Sequence, residues 1–304
     1  MPNKRMDGNG ISGTNNNKTI NVRNEGIKFL ILTNSVLTDK KDIYPALYDK
    51  GASIHYLIDK EGFQTQFADE SEQTFTNGRS WFRKSNSLNK TAVNLMFVNS
   101  GYETYTQEQK DKFKAYLEDF KKRNPAIDLK TNLLGLGEVA TLTKKDVPEG
   151  EGKIFPRHEA PGKLFFWDEL AELGFGLFIP TTPEQKGESW VSPASSELEI
   201  KALQENLQNY GYALETSGKY DNATKAWVTR FNQRYVPDPT QAIDASIWSK
   251  ASQISLDHIQ QYNNEKNIAA TQTAILPSSL FNIPTAPEAD TDKVSQQTAS
   301  LSMK

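Results

Sequence analysis

Apolar runs and alternating segments succeed one another along the first half of the chain. Residues 27–32 (IKFLIL) and 92–99 (AVNLMFVN) are continuous apolar runs, the pattern of strands buried on both faces. Between them, Ile43, Leu47 and Tyr48 predict a short helix that closes at Gly51. Residues 53–59 (SIHYLID) read as a strand, Lys60-Glu61-Gly62 as a turn and residues 63–67 (FQTQF) as an alternating partner, which together make a hairpin. The clearest helix covers residues 106–122. Thr106 is its N-cap, Gln109 sits at the capping-box position, and Phe113, Tyr116, Leu117 and Phe120 share one face. Residues 133–136 give the last strand of this half. Strands alternating with helices predict an α/β domain with a mixed sheet, over residues 25–178.

The pattern then changes. Residues 179–195 are rich in Pro, Thr, Ser and Glu and read as a linker. Residues 196–260 hold three segments at helical spacing, predicting a small three-helix domain. Ile200, Leu203, Leu207 and Tyr210 mark the first, Trp227 and Phe231 the second, Trp248 and Ile259 the third. Residues 1–24 and 261–304 lack lasting periodicity and are expected to be a flexible N-terminus and a disordered tail. Within the tail, Ile275, Leu276, Leu280, Phe281 and Ile283 form an apolar island, read as a docking segment for another protein.

Composition narrows the function classes. The net charge is −3 with both signs interspersed, which argues against nucleic acid as a partner. No cysteine is present, so neither a disulfide framework nor a thiolate metal site is available. The first residues contain no apolar leader, and no run of 18 apolar residues occurs, so no direct membrane insertion is expected. The expectation is a cytoplasmic protein that reaches the inner membrane, if at all, through protein partners.

The segments that carry the chemistry lie at residues 135–140 (GLGEVA) and 156–176 (PRHEAPGKLFFWDELAELGFG), separated by a polar insertion over residues 141–155. With SIHYLID, NGRSWF, AVNLMFVNSG and the later ALQENLQNYGY, KYDNATKAWVTRFNQRYV and ASIWSKA, their order resembles the two-domain zinc N-acetylmuramoyl-L-alanine amidases, in which a catalytic domain precedes a peptidoglycan-binding-type helical module. The resemblance implies a zinc ion held by two His and one Asp, with a Glu as acid/base. Thr33, Leu136 and Ala160 stand at the three ligand positions, Met96 at the Glu position, and His158 at a basic position two residues before the Asp. Zinc needs such donors to acidify its bound water. The resemblance therefore implies an inactive amidase homologue with no cofactor, acting as an adaptor or scaffold for other proteins. Overall resemblance also points to an amidase-like subunit of the Dot/Icm type IV secretion coupling complex. Two other readings stay open: an amidase with a metal site rebuilt from His158, Glu138 and Glu159, and a muropeptide-binding sensor. Peptidoglycan binding by the helical module is not expected, because such units also serve as packing partners. His55 reads as a core histidine and His258 as a solvated one.

Overall fold

The computed structural model describes residues 20–142, 154–238, 240 and 242–275. In chain order the elements begin with β1 (Ile20–Val22), β2 (Phe29–Asn34), α1 (Lys40–Asp49), β3 (Tyr56–Ile58), β4 (Gln64–Gln66), β5 (Glu72–Thr74), β6 (Trp81–Phe82) and β7 (Ser85–Asn86). They continue with β8 (Ala92–Phe97), α2 (Gln107–Arg123), α3 (Leu129–Asn132), β9 (Leu133–Gly135), α4 (Leu136–Val139) and α5 (Trp167–Glu172). The last are α6 (Pro183–Gly187), β10 (Ser189–Val191), α7 (Glu197–Tyr210), α8 (Asn222–Tyr235), β11 (Trp248–Ser249) and α9 (Lys250–Ile275).

The main sheet has the order β4-β3-β8-β2-β9. β3, β8, β2 and β9 run parallel, and β4 returns antiparallel as the edge half of the hairpin, with Tyr56 opposite Gln66. The central strands are mostly apolar because helices cover both faces, with Thr33, Asn34 and Asn94 as the polar exceptions. Leu30, Leu32, Val93, Leu95 and Phe97 pack against Phe113, Leu117 and Phe120 of α2 and against Phe165 and Phe166. On the opposite face, Leu57, Met96 and Val98 meet Ile43 and Leu47 of α1. α2 begins with the capping box that its sequence encodes: Thr106 Oγ1 accepts from Gln109 N, and the Gln109 side chain accepts from Thr106 N.

Residues 179–195 carry α6 and β10, and β10 pairs antiparallel with β11 of the helical module. Trp227 and Trp248 are completely buried in that module, and α8 packs on α4 of the first half. The described residues up to 260 form one compact unit. The last helix passes the point where periodicity fades and ends at Ile275. Leu276, Leu280, Phe281 and Ile283 of the expected docking segment lie outside the described residues, as do residues 143–153 of the polar insertion. Among the described residues, no helix is long and apolar enough to cross a membrane.

Candidate functional site

Side-chain parity along the parallel strands builds the site. Alternate residues of a strand face the same side, so Thr33 and Met96, directly opposite each other in the β2–β8 register, share the α1 face of the sheet. Leu32 pairs with Gly135 at the end of β9, and the chain turns there into α4 with Leu136 as its first residue. Open α/β sheets bind ligands beyond the carboxyl ends of their strands. A cleft of about 580 Å³ lies at that end, lined by Thr33, Met96, Leu136, His158 and Ala160 among others.

The loop carrying His158 to Gly162 is held close over α4. Gly137 N donates to Ala160 O at 2.7 Å, and a Cβ on Gly137 would lie only 2.9 Å from His158 O. Asn34 Nδ2 and Tyr105 Oη both donate to Pro161 O, at 3.1 and 2.7 Å. Gly162 closes the rim at φ +106°, where an added Cβ would meet Gly101 O at 2.5 Å. Gly162→Ala is therefore expected to cost more than about 1 kcal/mol, because neither the backbone angle nor the contact tolerates the methyl group. A thermal melt compared with the parent checks this.

Two basic side chains lie at the cleft. Lys50 and Arg157 line it, both exposed, and Arg157 Nη2 donates to Asn77 O at 2.8 Å. Burial, helped by Arg157, Arg230 and Lys50, pushes His158 down to about 4 and keeps its ring neutral near pH 7. The carboxylate of Glu159 pairs with Arg230 of α8 at 3.2 Å.

Glu138 belongs to a different assembly. Its carboxylate is buried, accepts from Gly135 N at 2.7 Å and from Tyr210 Oη at 2.9 Å, and pairs with the buried Arg234 guanidinium. Arg234 Nη2 also donates to Leu133 O at 2.7 Å, and its guanidinium lies 4.2 Å from the Trp167 ring centre. Burial works against the Arg234 charge, but Glu138 outweighs it and holds the group protonated. Trp227 Nε1 donates to Ile154 O at 2.9 Å, so α8 meets the first half at Ile154, Glu138 and Glu159, the last of which lines the cleft.

These partners bear on the metal question. Thr33 Oγ1 donates to Asn34 O at 3.3 Å, and Leu136, Ala160 and Met96 offer neither carboxylate nor imidazole, so the positions that the resemblance assigns to the zinc site do not fit a zinc ion. The rebuilt trio of His158, Glu138 and Glu159 does not assemble either, since each carboxylate is committed to an arginine. Among the described residues no group of three or more His, Cys, Asp or Glu could hold a metal.

Residues 14–162 match the family described as N-acetylmuramoyl-L-alanine amidase, and residues 196–250 match the family described as "Putative peptidoglycan binding domain". A Rickettsia conorii protein described as "Putative N-acetylmuramoyl-L-alanine amidase RC0497" is 37% identical over 84% of this chain and 94% of its own length. The chain belongs to the N-acetylmuramoyl-L-alanine amidase family. Among solved structures, the amidase AmiD from E. coli, in complex with the substrate anhydro-N-acetylmuramic acid-L-Ala-D-gamma-Glu-L-Lys, superposes with a TM-score of 0.59. That match has 19% identity and covers 76% of this chain and 87% of AmiD. AmpDh3 from Pseudomonas aeruginosa, in complex with anhydromuramic pentapeptide, gives a TM-score of 0.57 at 20% identity, covering 76% of this chain and 89% of AmpDh3.

For this amidase-family chain, the expectation of an inactive homologue is corrected: the relative matched over nearly its whole length is described as an amidase, and the fold matches are to amidases. The sequence argument equated one ligand set with the reaction. Missing donors at three positions describe that cage alone, and do not establish that the chain is without activity. The match of the helical module to a family described as "Putative peptidoglycan binding domain" stands in mild tension with the expectation against peptidoglycan interaction. The comparisons support the amidase family and its two-part organisation, and lend no weight to a scaffold within a secretion coupling complex.

Sequence reasoning missed Lys50, Arg157, Arg230 and Arg234. Arg157 had a local signal, as the neighbour of His158 in PRHEAPG; the others had none, because packing alone brings them to the site or behind it.

Proposed function

We propose that this chain acts on N-acetylmuramoyl-peptides in the cleft at the ends of β2, β8 and β9, hydrolysing the amide between the muramoyl group and L-alanine. The observation that carries this reading is the position of the cleft: it occupies the strand ends in a fold shared with amidases whose structures hold anhydromuropeptides. Family membership supports the reaction class.

His158 is the cleft-lining group suited to proton transfer. Its neutral ring can take a proton from a water that adds to the amide carbonyl, and can return it to the leaving amine of L-alanine. The helical module supports a peptidoglycan-derived ligand by its family match, and α8 buttresses the loop that presents His158.

The test is mass spectrometry of a purified anhydromuropeptide after incubation with the full chain. Release of free peptide is expected, falling by about 100-fold or more in His158→Ala. Binding without release would overturn the hydrolytic part, and absence of both would overturn the reading.

A further inference from the structure

Two loops reach the cleft, one after β2 and one after β8, and both expose apolar side chains there. Val36 is 68% exposed and Leu37 37% on the first loop, Tyr102 is 71% exposed on the second, and all three line the cleft. Val36 also has a left-handed backbone, with φ +64°. A β-branched side chain clashes with its own backbone in that conformation, which ordinarily falls to Gly, Asn or Asp. The free chain therefore carries two costs at one position, a strained backbone and an apolar side chain left in water. Packing within the chain does not recover them, since most of Val36 faces solvent. The strain is imposed from the sheet. Val36 N donates to Asn99 O at 3.1 Å and Ser35 N donates to Phe97 O at 2.9 Å, so the loop extends the β2–β8 ladder past the strand ends. Asn99 is buried, and its side chain accepts from Gly101 N at 2.7 Å, which ties the Tyr102 loop to the same residue.

We infer that Val36 is a ligand-contact residue: its left-handed turn holds the side chain at the cleft to pack, with Leu37 and Tyr102, against the uncharged muramoyl end of the ligand. This rests on the muropeptide reading above and names a residue that recognises that ligand. The ionised groups of an anhydromuropeptide lie on its peptide, whereas its muramoyl group presents methyl and ring C–H surface. Aliphatic side chains suit that end, and a tyrosine adds a flat apolar face with a polar tip. Binding covers apolar surface that the free chain leaves in water, so the cost of the loop is offset only in the complex. Stability and affinity then respond in opposite directions to one substitution, which a residue serving the fold alone does not produce.

Two measurements on the full chain test this: a thermal melt, and calorimetry with an anhydromuropeptide whose products are followed by mass spectrometry. Val36→Asn introduces a residue that tolerates the left-handed region, and it removes the apolar contact. This variant is expected to melt about 2–4 °C above the parent and to bind about 10-fold more weakly, the loss on uncovering one valine side chain. Val36→Leu keeps an apolar side chain and is expected to bind within about threefold of the parent. An Asn variant that binds as well as the parent, or that does not melt higher, overturns the inference and leaves the muropeptide reading standing. So does an equal loss of binding in the Leu variant, which assigns the effect to the shape of the loop. If the parent neither binds nor cleaves the compound, the muropeptide reading fails first and the inference with it.

Discussion

Arg234→Ala is expected to lower the unfolding free energy by about 3–5 kcal/mol, because it leaves the Glu138 carboxylate buried without its counter-charge. The same change removes the bond to Leu133 O at the end of β9 and the guanidinium stacked on Trp167. Glu138→Gln is expected to cost less than Glu138→Ala. Its amide oxygen can still accept from Gly135 N or Tyr210, although Arg234 then lacks its anion. The double variant Glu138→Gln/Arg234→Met should cost less than the sum of its parts, since no buried charge remains. Urea denaturation of the parent, Glu138→Gln, Arg234→Met and the double variant gives the coupling energy. A loss under about 1 kcal/mol in Arg234→Ala would show that the pair does not hold α8 against α4. The cleft feels this lock through its loop: Gly137 of α4 donates to Ala160 O, so loosening α4 loosens the wall that carries His158.

Stability should also fall as pH drops from about 6.5 towards 4, by about 3 kcal/mol from His55 alone. Burial pushes this ring down to about 4, and the nearby Arg23 adds to the effect. Its hydrogen bonds explain why. Asn94 N donates to Nδ1 at 2.9 Å, so the single ring proton sits on Nε2 and goes to Glu72 O at 3.0 Å. Protonating Nδ1 would set two donors against each other and put a positive charge beside the guanidinium of Arg23, whose Nη2 is 3.1 Å from Nε2. The folded value lies below the unfolded one, so the unfolded chain binds more protons in this window. The stabilisation is complete above about pH 6.5 and lost as pH falls through the folded value. His158 adds a smaller term in the same window, because solvent reaches part of its ring. Denaturation midpoints at pH 7, 5.5 and 4, for the parent and His55→Gln, check this. The variant should be less stable at pH 7, having lost its fit to Asn94 and Glu72, yet flatter in its pH dependence. A parent whose stability is level between pH 7 and 4 would contradict the assignment.

How far the sequence determined this protein follows from the range over which each signal acts. The buried strand 27–32, the hairpin at Lys60-Glu61-Gly62, the boxed N-terminus at Thr106 and the three later helices were legible because periodicity and capping are encoded within a few residues. Strand parity is equally local, but the β2–β8 register is what sets Thr33 and Met96 on one face. The partners of buried charges were not legible. Glu138 read as a candidate member of a rebuilt metal site, but Arg234, 96 positions later, claims it once α8 docks. Glu159 goes to Arg230 for the same reason. Lys50 and Arg157 share no local pattern and meet at one cleft because α1 and the loop after α4 flank the same strand ends. Desolvation gives the physical reason: a charge left unpaired on burial costs several kcal/mol, so packing between distant elements, which no local pattern encodes, decides which carboxylates are spent on arginines.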